Sequence, residues 1–220
     1  MNDLENSVDK VLEDVDYVVS DTHLGHKNII KYCRNSDFEF SDEGLQEMNE
    51  TIKDNWNSTV SEGDTVLFLG DLAWLSEQTS ENVKQIDEIY NSLNGDIVPL
   101  KGDHDAVRPT HVEDWDYSAL VRHNGKEYLA AHFPGDTPPE YPGSGMPEEF
   151  RLAYEDIFQI HDGLTLHGHH HNNHIDRYPF YNPEPGSINC SAELLDYRPV
   201  SMDKIDLYVE EGKEVQKIGS

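Results

Sequence analysis

Basic residues are scarce in this chain. Only 16 lysines and arginines stand against 44 aspartates and glutamates, giving a formal net charge of −28 over 220 residues. Without a basic footprint, non-specific nucleic-acid binding is not expected. The acids are spread along the whole chain rather than gathered in a tail. Their mutual repulsion is screened at high salt, where the Debye length falls to about 3 Å at 1 M, so the composition suggests a salt-rich cytoplasm. Cysteine is rarer still: Cys33 and Cys190 are the only two, too few for a disulfide framework and expected to be reduced. No run of about 18 apolar residues exists, so no membrane span is expected. The acidic start Met1-Asn-Asp-Leu-Glu-Asn6 lacks the basic-then-apolar order of a secretory signal, and a cytoplasmic location is expected. Internal repeats and long low-complexity tracts are also missing.

Five short apolar runs, each ending on Asp or His, are what the chain does contain. They read Tyr17-Val-Val-Ser-Asp21-Thr-His23, Val66-Leu-Phe-Leu-Gly-Asp71, Ile97-Val-Pro-Leu-Lys-Gly-Asp103-His104-Asp105, Tyr128-Leu-Ala-Ala-His132 and Leu164-Thr-Leu-His-Gly-His169-His-His171. Such runs suit buried strands. Residues 41–56 predict a helix with Leu45, Met48, Ile52 and Trp56 on one face. A second helix is expected over 79–93, stopped by Asn94-Gly95, and a third over 151–160. The Pro- and Gly-rich segment 134–147 reads as a loop bordering the site. Residues 205–209 and 214–218, around Glu211-Gly212, predict a closing β-hairpin. Residues 1–14 read as a polar extension, frayed or helical, before a single domain over 15–220. Alternating strands and helices, then mostly strands, predict an α/β fold: a two-sheet β-sandwich flanked by helices.

A lone histidine is more often a hydrogen-bonding residue than a ligand, and Asp-x-His or Gly-Asp alone is a weak signal. Five such motifs in series, each at a predicted strand end, argue otherwise. Polar strand ends converge on one sheet edge, where α/β folds place ligands. Asp and His without Cys suit divalent transition metals, and there are enough here for two ions. Within Asp21-Thr-His23 and His169-His-His171 the i and i+2 side chains share one side of an extended segment. His111, His123, His161, His167 and His174 read as structural or solvent-exposed.

The order Asp-x-His, Gly-Asp, Gly-Asp-His-Asp, a lone His and Gly-His-x-His resembles the calcineurin-like metallophosphoesterases, from about Tyr17 to Leu207. Ser20-Asp-Thr-His-Leu-Gly-His26 and Asn189-Cys-Ser-Ala-Glu-Leu-Leu-Asp-Tyr-Arg-Pro-Val200 are similar to a small prokaryotic and phage-type subgroup. The resemblance implies that Asp21, His23 and His171 bind one metal and His132 and His169 the other, with Asp71 bridging. Asp103 stands where the family has an asparagine ligand. His104 is implied as the group that protonates the leaving oxygen, with Asp105 or the phosphate itself keeping it charged. His26 and Arg34 are implied to position substrate, although Asn35-Ser36-Asp37-Phe38 departs from the subgroup's usual Arg-Pro-Phe beside Arg34.

The expected function is hydrolysis of a phosphodiester or small phosphomonoester with two divalent ions. Manganese is the first choice, and iron, nickel, cobalt or zinc are also suited. The alternative is a metal-binding scaffold of the same fold, catalytically weak, that binds a protein partner. Aspartate at 103 adds a negative charge that should hold metal more tightly while weakening its Lewis acidity.

Overall fold

Short runs rich in Val, Leu, Ile and Phe form the central strands of the two sheets, where cover on both faces favours continuous apolar runs over alternation. The computed structural model describes residues 3–135 and 145–218. The chain opens with α1 (Asp3–Ser7), β1 (Lys10–Leu12), β2 (Tyr17–Val19), α2 (Lys27–Cys33) and α3 (Asp42–Thr59). It continues through β3 (Thr65–Phe68), α4 (Ser80–Tyr90), β4 (Asp96–Pro99), β5 (Ser118–His123) and β6 (Lys126–Ala131). Then come α5 (Glu148–Tyr154), α6 (Ile157–Ile160), β7 (Leu164–His167), β8 (Tyr181–Asn182) and β9 (Ser187–Asn189). A 3₁₀ turn over Ala192–Leu195, β10 (Val200–Ser201) and α7 (Met202–Glu211) follow.

One sheet has the order β10-β2-β3-β4, and the other β1-β5-β6-β7-β9-β8. β2, β3 and β4 are neighbouring parallel strands, as are β6 and β7. Parallel neighbours point their C-terminal ends the same way. The residues following five strands are therefore delivered to one edge of the paired sheets. The expected two-sheet α/β architecture is what the chain adopts.

Two predicted helices form close to their expected bounds. The Ser41 side chain caps α3 by accepting from Gly44 N, and Met48, Ile52 and Trp56 bury one stripe. Thr79 caps α4 by accepting from Asn82 N. The third differs: it starts earlier, after Pro147 and with Glu148 and Glu149 in its first turn, and it divides into α5 and α6. Acidic residues at a helix N-terminus suit its dipole. Of the expected loop, residues 136–144 lie outside the described residues.

The closing hairpin is not formed. Residues 202–211 are a helix, capped by Ser201 and ended by Gly212 at φ +62°. Met202 and Ile205 are buried three residues apart, while Leu207 points outward and is exposed. Helical periodicity thus outweighs the alternating pattern, and Val215 instead bridges to Tyr181. The polar N-terminal segment holds more than a helix: β1 adds a parallel edge strand beside β5. Cys33 and Cys190 are both free and buried. No helix among the described residues is long and apolar enough to cross a membrane.

Candidate metal centre

The strand ends bring the expected Asp and His side chains into one cluster. Asp21, His23 and His171 offer ligand atoms within 4.8 Å of one another, and so do Asp103, His132 and His169. Asp71 lies between the two sets: its Oδ2 is 3.5 Å from His23 Nε2 and 3.6 Å from His132 Nε2. A carboxylate has two oxygens, so one placed there can serve both sets.

Sharp backbone turns make this convergence possible. Among the described residues, eight non-glycine residues have positive φ, and five belong to the cluster: Asp21, His23, Asp71, His169 and His171. This left-handed region is sparsely populated outside glycine, and such strain gathers at functional sites. Gly70, at φ +105°, lets the chain turn immediately before Asp71. A Cβ at Gly168 would collide with Asp21 Oδ2 and Ser20 Oγ, so only glycine allows this close crossing of the two sheets.

Each side chain is held by neighbours. His132 Nδ1 hydrogen-bonds Leu69 O at 2.9 Å, which turns Nε2 toward Asp103 Oδ1 at 3.0 Å. His171 Nδ1 faces Glu193 at 3.1 Å from both carboxylate oxygens, turning its Nε2 toward Asp21. Ser191 Oγ donates to Asp21 Oδ2, and His169 N–H donates to the same carboxylate across the gap between sheets. Partners of this kind set the tautomer and aim of metal-ligating histidines.

The electrostatics fit cations. His23 Nε2 is buried without a hydrogen-bond partner, although two carboxylates lie within 3.9 Å. Leaving such an atom unsatisfied costs roughly 1–3 kcal/mol, and a cation between these groups removes that cost. Burial raises Asp71 well above the usual carboxylate range, with Asp103, Asp105 and Asp21 adding to the effect against His132. Burial and the neighbouring His171 and Arg34 hold His23 neutral. Burial works against a charge on His132, yet Asp71 and the hydrogen bond to Asp103 raise its pKa to about 10. Burial also opposes ionisation of Asp103, but its hydrogen bonds to His132 and His169 keep it well below the ordinary range. Asp and His donors aimed at a common centre suit a divalent transition metal, which takes its carboxylates ionised and its imidazoles unprotonated.

Two expected roles are corrected by placement. Arg34 does not face the cleft: it is wholly buried, with Nε 2.5 Å from Glu193 Oε1. It donates as well to Asp21 O at 2.6 Å and Thr22 O at 2.9 Å, so its guanidinium fixes the ligand loop from behind. Asp105 does not support His104. Its carboxylate accepts from Asp71 N, Gly102 N and Leu72 N, bracing the turn that carries Asp71. The carboxylate near His104 Nε2 is that of Asp103, at 3.8 Å. His26 and His104 both line the cleft, and so does His174, which the sequence alone reads as structural or solvent-exposed.

The Arg34 placement has a measurable consequence. Arg34→Met leaves the Glu193 carboxylate buried without its cation, a loss of about 3–5 kcal/mol for a broken buried pair. Urea denaturation should register that loss, whereas a phosphate-binding arginine would raise KM and leave stability unchanged. Burial opposes ionisation of Glu193, but Arg34 and His171 lower its pKa to about 2. A depressed carboxylate stabilises the fold above its unfolded pKa, and this contribution is lost as pH falls toward about 2.

Sequence reasoning missed Glu193 and Ser191, which sit inside the matched closing segment but carry no local ligand pattern. It also missed Trp74, three residues beyond Asp71, whose ring stacks on His26 with centroids 4.2 Å apart.

Comparison with known proteins agrees with this geometry. The sequence model of a family described as "Calcineurin-like phosphoesterase" matches residues 17–208. The uncharacterized protein MJ1445 of Methanocaldococcus jannaschii is 38% identical over 202 residues, covering 92% of this chain and 95% of the relative. A crystal structure of AQ665 from Aquifex aeolicus, a protein of unknown function, superposes with a TM-score of 0.54 at 25% identity. That match covers 90% of this chain and 98% of the other.

Proposed function

The chain belongs to the calcineurin-like phosphoesterase family, and from that premise we propose that it hydrolyses a phosphodiester or small phosphomonoester at a dinuclear metal centre. The observation that carries this reading is the pair of Asp/His sets on either side of Asp71. Two divalent ions held there would supply Lewis acidity toward phosphoryl oxygens and water. Asp21, His23 and His171 would hold one ion, and Asp103, His132 and His169 the other, with Asp71 shared.

His104 is the proposed general acid. Its backbone N–H donates to Asp71 Oδ1 at 2.9 Å, which ties the turn that carries it to the carboxylate proposed as the bridge. The side chain is 40% exposed and opens on the cleft, so it can meet the oxygen that leaves phosphorus. His26, which lines the same cleft, is proposed to position substrate.

The test is a hydrolysis screen of mono- and bis-p-nitrophenyl phosphate and 2′,3′-cyclic nucleotides with Mn²⁺, Ni²⁺, Co²⁺ and Zn²⁺. Molar KCl is the appropriate medium for a chain of net charge −28. Turnover with a bound metal supports the reading. Stoichiometric metal with no turnover on any substrate replaces it with the scaffold alternative.

Asp103 tunes this centre in our reading. The raised pKa of His132 means that an entering metal must displace a proton from it, so affinity rises with pH. Asp103→Asn removes one of the charges that raise that pKa. Calorimetry in buffers of different ionisation enthalpy should show fewer protons released by the variant, and its order of metal preference should shift. Unchanged proton release and unchanged turnover in every metal would show that this residue does not tune the site.

A further inference from the structure

The cleft in front of the ligand cluster has a volume of about 630 Å³, and part of its wall has no role in holding metal. Among the described residues six large hydrophobic side chains remain exposed, and two of them, Tyr32 and Trp74, are on this wall. Trp74 is 43% exposed although the His26 ring covers one of its faces at 13° between planes. The accessible area is therefore its other face and its edge. Its centroid is 5.3 Å from that of His104, which places an indole on the side where the leaving group would depart.

The rest of the wall narrows the chemistry. Among the described residues no lysine or arginine lines the cleft, although Lys31 Nζ lies 5.8 Å from the ring centroid of Tyr32, so the wall itself offers no cation to a second phosphate or a polyanionic chain. Asn28 and Asn173, both exposed residues, do line the cleft; Asn173 gives one Nδ2 proton to Cys33 Sγ, which leaves each amide at least one donor and an acceptor for a ligand. A flat, neutral ring with a polar edge matches these surfaces, since base–aromatic stacking is tolerant of ring identity and amides read the edge.

Resting on the hydrolytic reading above, we infer that the substrate is a nucleoside phosphoester with one phosphate group, its base stacked on Trp74. Trp74 is then a specificity-determining residue. The bland alternative makes Trp74 a prop for the His26 and His104 rings.

Adenosine 5′-monophosphate and ribose 5-phosphate share phosphate and sugar and differ only in the base. Titrated calorimetrically into the Mn²⁺-loaded protein, the nucleotide should bind about tenfold to a hundredfold more tightly. In Trp74→Ala this ratio should collapse toward one, and Trp74→Phe should restore most of it. A ratio near one in the parent, or one that survives in Trp74→Ala, overturns the inference. Phenyl phosphate bound as tightly as the nucleotide overturns the assignment of a nucleobase. Inorganic phosphate is titrated alongside to separate the two levels. If it binds while the ratio is near one, only the stacking inference fails; if no phosphate compound binds, the hydrolytic reading fails with it.

Discussion

Replacing Asp71 with asparagine is expected to lower turnover by about a hundredfold or more, the loss that follows when metal-borne transition-state stabilisation worth several kcal/mol is removed. Asparagine keeps the shape and an acceptor for the His104 N–H, but it has one oxygen where aspartate has two. Metal content measured on the purified variant should fall below that of the parent. Stability of the metal-free protein should move in the opposite direction. Burial, with Asp103, Asp105 and Asp21 adding to it, raises the Asp71 pKa in the fold. A raised carboxylate pKa favours folding below the unfolded value of about 3.9, and that contribution is lost as pH rises through the folded pKa. At neutral pH the metal-free parent therefore carries a charge penalty that asparagine lacks, and the variant's Tm without metal should equal or exceed the parent's. A variant that keeps full turnover and metal content would remove Asp71 from the centre.

His104→Gln is expected to cost about 10²–10⁴-fold in kcat on substrates with alkoxide leaving groups, the range for loss of a positioned general acid. The loss should shrink on p-nitrophenyl esters, whose leaving anion is stable without a proton. Because the His104 side chain is 40% exposed, stability should change by no more than about 0.5 kcal/mol. Metal content is the discriminating measurement. Asp71, Asp103 and His104 also form a group close enough to hold an ion, so a fall in metal content with an equal loss on both leaving groups would make His104 a ligand instead of the acid.

Local chemistry explains how much of the site was legible in advance. α3 and α4 announce themselves through Ser41 and Thr79 as caps and through apolar stripes at helical spacing, both satisfied within one element. The five strand-end motifs are likewise local, because a run of apolar residues and the Asp or His that ends it are neighbours in the chain. The failures are not local. Residues 205–209 alternate like a strand, yet the burial of Met202 and Ile205 against the core selects a helix. Lys10–Leu12 is too short to declare itself, and it becomes a strand only because β5 offers it a parallel edge. Arg34 and Glu193 are 159 residues apart, and no spacing rule pairs them.

The donor set, its order and the acidic composition are properties of residue types and short spacings, so the sequence alone determined that Asp and His would end five apolar runs without cysteine. The division of those donors into two groups with Asp71 between them depends on distances across two separate sheets. The parallel register of β2, β3 and β4 and of β6 and β7 aligns the donors within each sheet, and the close approach of Gly168 to Ser20 and Asp21 sets the distance between the sheets. Tertiary structure alone also turned Arg34 inward onto Glu193, gave Asp105 to the backbone of the Asp71 turn and set Trp74 beside His104. The physical reason is the same in each case. A side chain's chemistry travels with the residue, whereas its partner, its burial and therefore its charge state are fixed only when distant segments pack.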